Sequence, residues 1–212
     1  NIQENLKEIR KGIPEGVELA CVSKFHPVEA IEEAYAAGER VFAESRPQEF
    51  VAKVEVLPTD IEWHFIGNLQ SNKIKYVAPV AKLVHSVSNE KLLLELANYC
   101  TLNNLTLDIL IEVSIATDDS KQGFIKSELI ELFEKIESDN LFAEKIKHLN
   151  IRGLMGMASF TDDQEQIKAE FTTISQLFRD IKSNNYKFLN NFDQLSIGMS
   201  GDYKIAIECG AT

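Results

Sequence analysis

Residues 17–27 read Val-Glu-Leu-Ala-Cys-Val-Ser-Lys-Phe-His-Pro, and the way this stretch ends decides the fold. The apolar run 17–23 has the length of a buried parallel strand. Pro27 is suited to the first turn of a helix, expected over 27–38 and stopped by Gly38. An open doubly wound sheet would place a glycine-rich turn after its first strand. Lys24-Phe25-His26-Pro27 contains no glycine, so the stretch points to a barrel instead.

Outward from it, the same unit repeats. Short apolar runs at 40–43, 61–66, 82–87, 107–113, 151–157 and 194–197 are expected strands. Helices are expected at 46–56, 68–76, 88–102 with Ser88 as N-cap, 125–136, 164–181 and 202–209. Seven consecutive strand–helix units after an N-terminal helix imply a parallel sheet. We therefore expect an α/β fold, a (β/α)8 TIM-type barrel, with residues 1–212 forming one domain. The sequence reaches Gly210-Ala211-Thr212 where an eighth strand should begin, so this chain is expected to lack the final strand.

Composition narrows the function classes. The chain has 212 residues, 44% of them hydrophobic, and a formal net charge of -11. Hydrophobic content of that order suits a sizeable core. An acidic chain lacks the basic footprint that nucleic acid requires, and Lys73 and Lys75 read as a solvated helix face. Cys21, Cys100 and Cys209 are far apart and odd in number, which argues against a disulfide framework or a zinc site. The four histidines are scattered, and no metal site is expected. No apolar stretch has the length of a membrane span, and residues 1–11 lack a signal-peptide core. A cytoplasmic protein is the expectation.

Lys24 is the leading candidate for chemistry. It ends a strand, and barrel active sites form at the C-terminal ends of strands. An amine there is placed to attack a carbonyl and form a Schiff base; the alternative is a snorkelling surface lysine. Lys82, at the start of its strand, should face the opposite side. The second candidate is Leu195-Ser196-Ile197-Gly198-Met199-Ser200-Gly201-Asp202, a strand entering a glycine-containing loop. Such a loop after a seventh strand can hold phosphate on free backbone N–H groups, or Ser200 can simply cap the next helix. The third is the stretch from His64 to Lys73, in which Gly67 and Asn68 reach the barrel mouth. Asn68 can bond a ring substituent or cap a helix, and His64 reads as a core histidine. His85 and Ser86 end the fourth strand and can line a pocket. Met155 and Met157 read first as core, with one of them able to touch a cofactor face.

These segments carry a resemblance. Val22-Ser23-Lys24 with His26-Pro27, His64 through Lys73, His85-Ser86-Val87, Arg152-Gly153-Leu154-Met155, Leu195 through Ser200, and Gly210-Ala211-Thr212 run in order along almost the whole chain. The sequence resembles the YggS/PROSC family of pyridoxal 5′-phosphate (PLP) homeostasis proteins, related to the N-terminal barrel of bacterial alanine racemase. The resemblance implies that Lys24 carries PLP as a Schiff base. It also implies that Ser200 and the Gly198-Met199 backbone help bind the phosphate and that Asn68 lies near the cofactor. His85, Met157 and Ser196 complete the expected PLP-binding set. The family reads Phe-Gly-Glu-Asn where this chain has Phe42-Ala43-Glu44-Ser45, so a contact carried to Ser45 is not expected to transfer. An arginine and a Gly-Thr pair that follow in the family lie beyond Thr212.

Racemisation needs two acid/base groups, one on each face of the cofactor. Lys24 supplies one. Tyr203 is the nearest second in sequence, but a helix-surface position is expected for it. The family is regarded as non-enzymatic, so the resemblance implies a carrier that hands PLP to apo-enzymes, with no catalytic residues; a monomer is expected. The alternatives are a weak PLP-dependent amino-acid racemase, a Schiff-base aldolase, and a module that signals PLP to a protein partner.

Overall fold

Seven strands run parallel in one sheet, in the order of the sequence. The computed structural model of the protein describes residues 1–119 and 122–212. Helix α1 (Ile2–Lys11) leads into β1 (Cys21–Val22), α2 (Val28–Ala36), β2 (Val41–Glu44), α3 (Pro47–Val56) and β3 (Glu62–Phe65). A 3-10 turn (Ser71–Lys73) and α4 (Ile74–Val77) precede β4 (Leu83–Val87), α5 (Glu90–Leu102) and β5 (Leu107–Glu112). Then come α6 (Lys126–Ser138), α7 (Asn140–Lys145), β6 (Leu149–Met155), α8 (Gln164–Ser183), β7 (Gln194–Ser196) and α9 (Tyr203–Glu208).

The main core lies between the sheet and its surrounding helices, where Phe42, Phe50, Phe65, Phe133 and Phe171 are fully buried. A second, smaller cluster of Leu83, Leu110 and Met155 fills the inner face of the curl. Strand side chains alternate between these two faces: Trp63 and Phe65 join the outer core, leaving His64 to point inward. Thr212 shows how far the sheet curls. Its N–H donates to the Leu195 carbonyl (3.1 Å) and its carbonyl accepts from the Glu18 N–H (2.7 Å). One residue thus bridges the two edges of the sheet, leaving them about two strand spacings apart, roughly 10 Å.

Several boundaries differ from expectation for identifiable reasons. The first strand is Cys21–Val22 rather than 17–23, because its ladder with β2 pairs only Cys21 with Phe42 and Val22 with Ala43. The helix expected at 68–76 divides into the 3-10 turn and α4, since Ser71 and Asn72 are weak helix formers. Asn89, not Ser88, caps α5, its side chain accepting from the Leu92 N–H at 2.8 Å. Helix α7 was not expected; Asp139 caps it through the N–H groups of Leu141 and Phe142. Strand β6 starts and ends two residues early, which moves Met157 out of the strand and into the loop beyond it.

Candidate functional site

A cavity of about 630 Å³ opens at the C-terminal ends of the strands. Of the eight residues singled out in sequence, seven line it: Lys24, His85, Met157, Ser196, Gly198, Met199 and Ser200. Asn68 is exposed and is not among the lining residues. Lys24 is half-buried, and its amine has no ion-pair partner among the described residues. Lys82 is engaged elsewhere, donating to Glu62 at 2.7 Å at the N-terminal ends of the strands.

The turn that carries Lys24 is held from both sides. Ser23 donates its N–H to the Ala43 carbonyl (3.0 Å), and the Ser23 carbonyl accepts from the His26 N–H (3.0 Å). The Phe25 N–H donates to the Glu49 carboxylate, at 2.9 and 3.2 Å to its two oxygens. Phe25 takes φ 65°, a left-handed conformation uncommon outside glycine.

The loop after β7 presents unused donors. The backbone N–H groups of Gly198, Ser200 and Gly201 have no acceptor among the described residues. Gly198 adopts φ +101°, and a Cβ there would lie 2.8 Å from that of Ala206. Glycine is required both for the turn and for the close approach of α9. Ser200 does not cap α9; Asp202 stands at that position, and its carboxylate accepts from the Met199 N–H at 2.6 Å. That bond directs Asp202 back into the loop.

The cavity wall contains a buried hydrogen-bonded chain. Ser196 Oγ and His85 Nδ1 are 2.8 Å apart, and His85 Nε2 and His64 Nδ1 are 2.9 Å apart. Burial lowers the His64 pKa to about 4 and, with His64 beside it, the His85 pKa to about 3. Both rings are therefore neutral at pH 7. Each carries one N–H, so the chain from Ser196 to His64 must run in one direction or the other. His64 is buried and hydrogen-bonded, as expected of a satisfied core histidine, and it also lines the cavity. Its neighbours Trp63 and Phe65 gave the signal, since apolar residues on both sides place His64 on the opposite face. Tyr203 also lines the cavity rather than the helix surface, as does Ser45. Nothing in the local sequence of Tyr203 marks the inward side of so short a helix.

At the end of the cavity away from Lys24, Glu18, Glu62 and His64 each bring one ligand-type atom within 4.8 Å of the others, Glu18 and His64 lining the cavity itself. The Lys82 amine already neutralises Glu62 there. On β5, Glu112 is 2% exposed, and burial raises its pKa to about 7. Its folded pKa lies above the ordinary 4.5, so the stability it allows is full below pH 4.5 and is lost as pH rises through 7. Glu112→Gln is therefore expected to stabilise the protein more at pH 8 than at pH 5, by on the order of 3 kcal/mol. Urea denaturation at the two pH values checks this; an equal effect at both would contradict it.

No helix among the described residues is long and apolar enough to cross a membrane. The three cysteines are free thiols. Residues 1–208 match the family model described as alanine racemase, N-terminal domain. A pyridoxal phosphate homeostasis protein of Vibrio alginolyticus is 37% identical over 227 residues, covering all of this chain and 93% of the relative. The protein of the same name from Helicobacter pylori is 36% identical over 197 residues, covering 92% of this chain and 82% of the relative. Among solved structures, PipY of Synechococcus elongatus without PLP superposes with a TM-score of 0.89 at 32% identity, over all of this chain and 95% of that one. The same protein with PLP bound gives 0.85 at 31% identity, with the same coverage. Alanine racemase of Streptomyces coelicolor shares the fold at a TM-score of 0.74 and 17% identity, over 95% of this chain and 52% of the racemase.

Proposed function

This chain belongs to the alanine racemase N-terminal domain family, alongside the pyridoxal phosphate homeostasis proteins, and from that premise we propose that it is a PLP-binding homeostasis protein. Residues 1–212 act as one PLP-binding domain. The observation that carries the reading is an unpaired strand-end lysine facing the same cavity as a loop of unused N–H donors. PLP has an aldehyde at one end of its ring and a phosphate at the other, and this donor set suits both. Lys24 would hold the cofactor through its aldehyde, with its Nζ as the attachment point. The N–H groups of Gly198 and Ser200, with the Ser200 hydroxyl, receive the phosphate. Met157 and Met199 supply apolar contact at the rim, and His85 orients Ser196. Asn68, exposed in the structure, reaches the cofactor only through a change of the loop that carries it.

When bound, PLP supplies an electron-poor ring that can stabilise charge on an attached amino acid. The reading is nevertheless a carrier and not an enzyme. Lys24 follows the first strand with no ion-pair partner among the described residues, whereas His85, another acid/base group of the inner wall, is tied up in its hydrogen bonds to Ser196 and His64. The mouth is bordered by exposed Phe25, Met157 and Met199, and a site bordered by open surface favours exchange with apo-enzymes. Its three free thiols suit the reducing cytoplasm in which we propose that it works, as a monomer.

A second reading, a weak amino-acid racemase, is favoured by Tyr203, which lines the same cavity. One experiment separates the two. The PLP-loaded protein is mixed with a PLP-dependent apo-enzyme, and separately with L-alanine. A carrier restores apo-enzyme activity and forms no D-alanine. D-Alanine formation that disappears in Tyr203→Phe would establish the racemase instead.

A further inference from the structure

Beneath the Lys24 turn lies a buried ionic cluster that the cofactor reading does not use. Lys53 and Glu44 are 5% and 0% exposed, and their charged groups meet at 2.9 Å. Lys53 Nζ also donates to the Ser23 carbonyl at 2.7 Å and lies 3.5 Å from Glu49. The Ser23 hydroxyl donates to Glu44. Glu49, one helical turn before Lys53 on α3, grips the Phe25 N–H with both oxygens. Arg46 adds its guanidinium 4.3 Å over the Phe25 ring.

The cluster therefore holds the residue before Lys24 and the residue after it, and leaves Lys24 itself unbonded. Buried ion pairs are weak sources of stability, because desolvation offsets their attraction. Backbone in a sparsely populated conformation persists only where its surroundings over-determine it, and Phe25 at φ 65° is such a residue. Both observations fall on the turn that aims the lysine. Charge states suit the task as well. Burial raises the Glu44 pKa. Glu49, despite burial, is held below the ordinary carboxylate range by the Phe25 N–H, Glu44 and Lys53, so it stays an acceptor for that N–H.

We propose that Lys53, Glu44 and Glu49 are positioning residues that fix the 23–26 turn and so aim the Lys24 amine at the cofactor. The proposal rests on the reading of Lys24 as the PLP anchor.

The test is a double-mutant cycle on the full chain: wild type, Lys24→Ala, Lys53→Met and the double variant. Each is read by PLP affinity in equilibrium dialysis and by the fraction of PLP trapped on Lys24 with borohydride. If Lys53 acts through Lys24, Lys53→Met weakens PLP binding about tenfold in the wild-type background, the size expected for coupled neighbours. In the Lys24→Ala background it changes affinity by less than about twofold. Lys53→Arg, which keeps the charge, restores part of the trapped fraction. An equal loss in both backgrounds would show a general structural role and overturn the proposal, as would no loss in either. If Lys24→Ala alone leaves affinity and trapped PLP unchanged, the anchor reading itself fails, and that single variant reports it. Should Lys53→Met fail to fold by circular dichroism, Glu49→Ala replaces it in the same cycle. Glu49 lies at the edge of the cluster, with its side chain 24% exposed.

Discussion

Gly153→Ala is expected to leave little folded protein. Gly153 sits within β6 opposite Gln194 of β7. A Cβ at Gly153 would stand 1.7 Å from the Gln194 carbonyl oxygen and 2.6 Å from its carbon. Both atoms are backbone, so no side-chain rotation relieves the overlap; the strands must separate. Separation would break the ladder that carries Leu195 and Ser196, and with it the Thr212 bridge to Glu18. Overpacking with no room to relax reaches the upper end of single-residue effects, about 4 kcal/mol or more. Net stabilities of domains are roughly 5–15 kcal/mol, so most of the margin disappears. Gly201→Ala is the control, since a Cβ there meets nothing within 4 Å. Yield and urea unfolding of the two variants check the prediction; a Gly153→Ala protein as stable as Gly201→Ala would contradict it.

Glu170→Ala is expected to cost on the order of 3 kcal/mol and to loosen the cavity mouth. Glu170 projects from α8 and is 3% exposed. Its carboxylate accepts from the N–H and hydroxyl of Ser159 and from the N–H and hydroxyl of Thr117. It thereby joins the loop after β5 to the loop after β6, which carries Met157. Removing it orphans the buried N–H and hydroxyl of Ser159 together with the part-buried donors of Thr117. Burial opposes ionisation, yet these hydroxyls and amides hold the Glu170 pKa down to about 2. The folded pKa lies below the ordinary 4.5, so the stability it gives is full above pH 4.5 and is lost as pH falls through 2. By linkage that loss is on the order of 3 kcal/mol. Unfolding free energies of wild type and Glu170→Ala should therefore differ most above pH 4.5 and converge near pH 2. A gap independent of pH would show that the carboxylate charge is not what the loops depend on.

Much of this architecture is legible in the chain because each strand is a short apolar run bounded by an amphipathic segment. All seven strands lie where those runs place them, and the helices follow them, except that 68–76 holds only a 3-10 turn and the short α4 and that α7 is added. Boundaries err where pairing, not hydrophobicity, decides. Residues 17–20 are as apolar as a strand but lack a ladder with β2, and Leu149 joins β6 because Leu107 is there to pair with it. Cavity-lining position is legible where residues close a strand: Lys24 just after β1 and Ser196 at the end of β7 both line the cavity. Asn68, expected at the mouth after β3, lies three residues beyond that strand and is exposed. The face of Tyr203 was hidden in so short a helix, whereas Trp63 and Phe65 mark the inward face of His64. The Lys53–Glu44 pair is the least legible feature. A lysine in an amphipathic helix reads as solvated, and only the fold reveals that it lies buried under the Lys24 turn.

The central claim is that Lys24 anchors PLP, and one spectroscopic comparison tests it most directly. Wild type and Lys24→Ala are each mixed with PLP, scanned in the visible near-violet, reduced with borohydride and mapped by mass spectrometry of peptides. Wild type is predicted to gain the band of a lysine-bound PLP and, after reduction, to carry the label on Lys24 alone. Lys24→Ala is predicted to gain neither. A band and label of equal strength in both proteins, or in neither, would contradict the account.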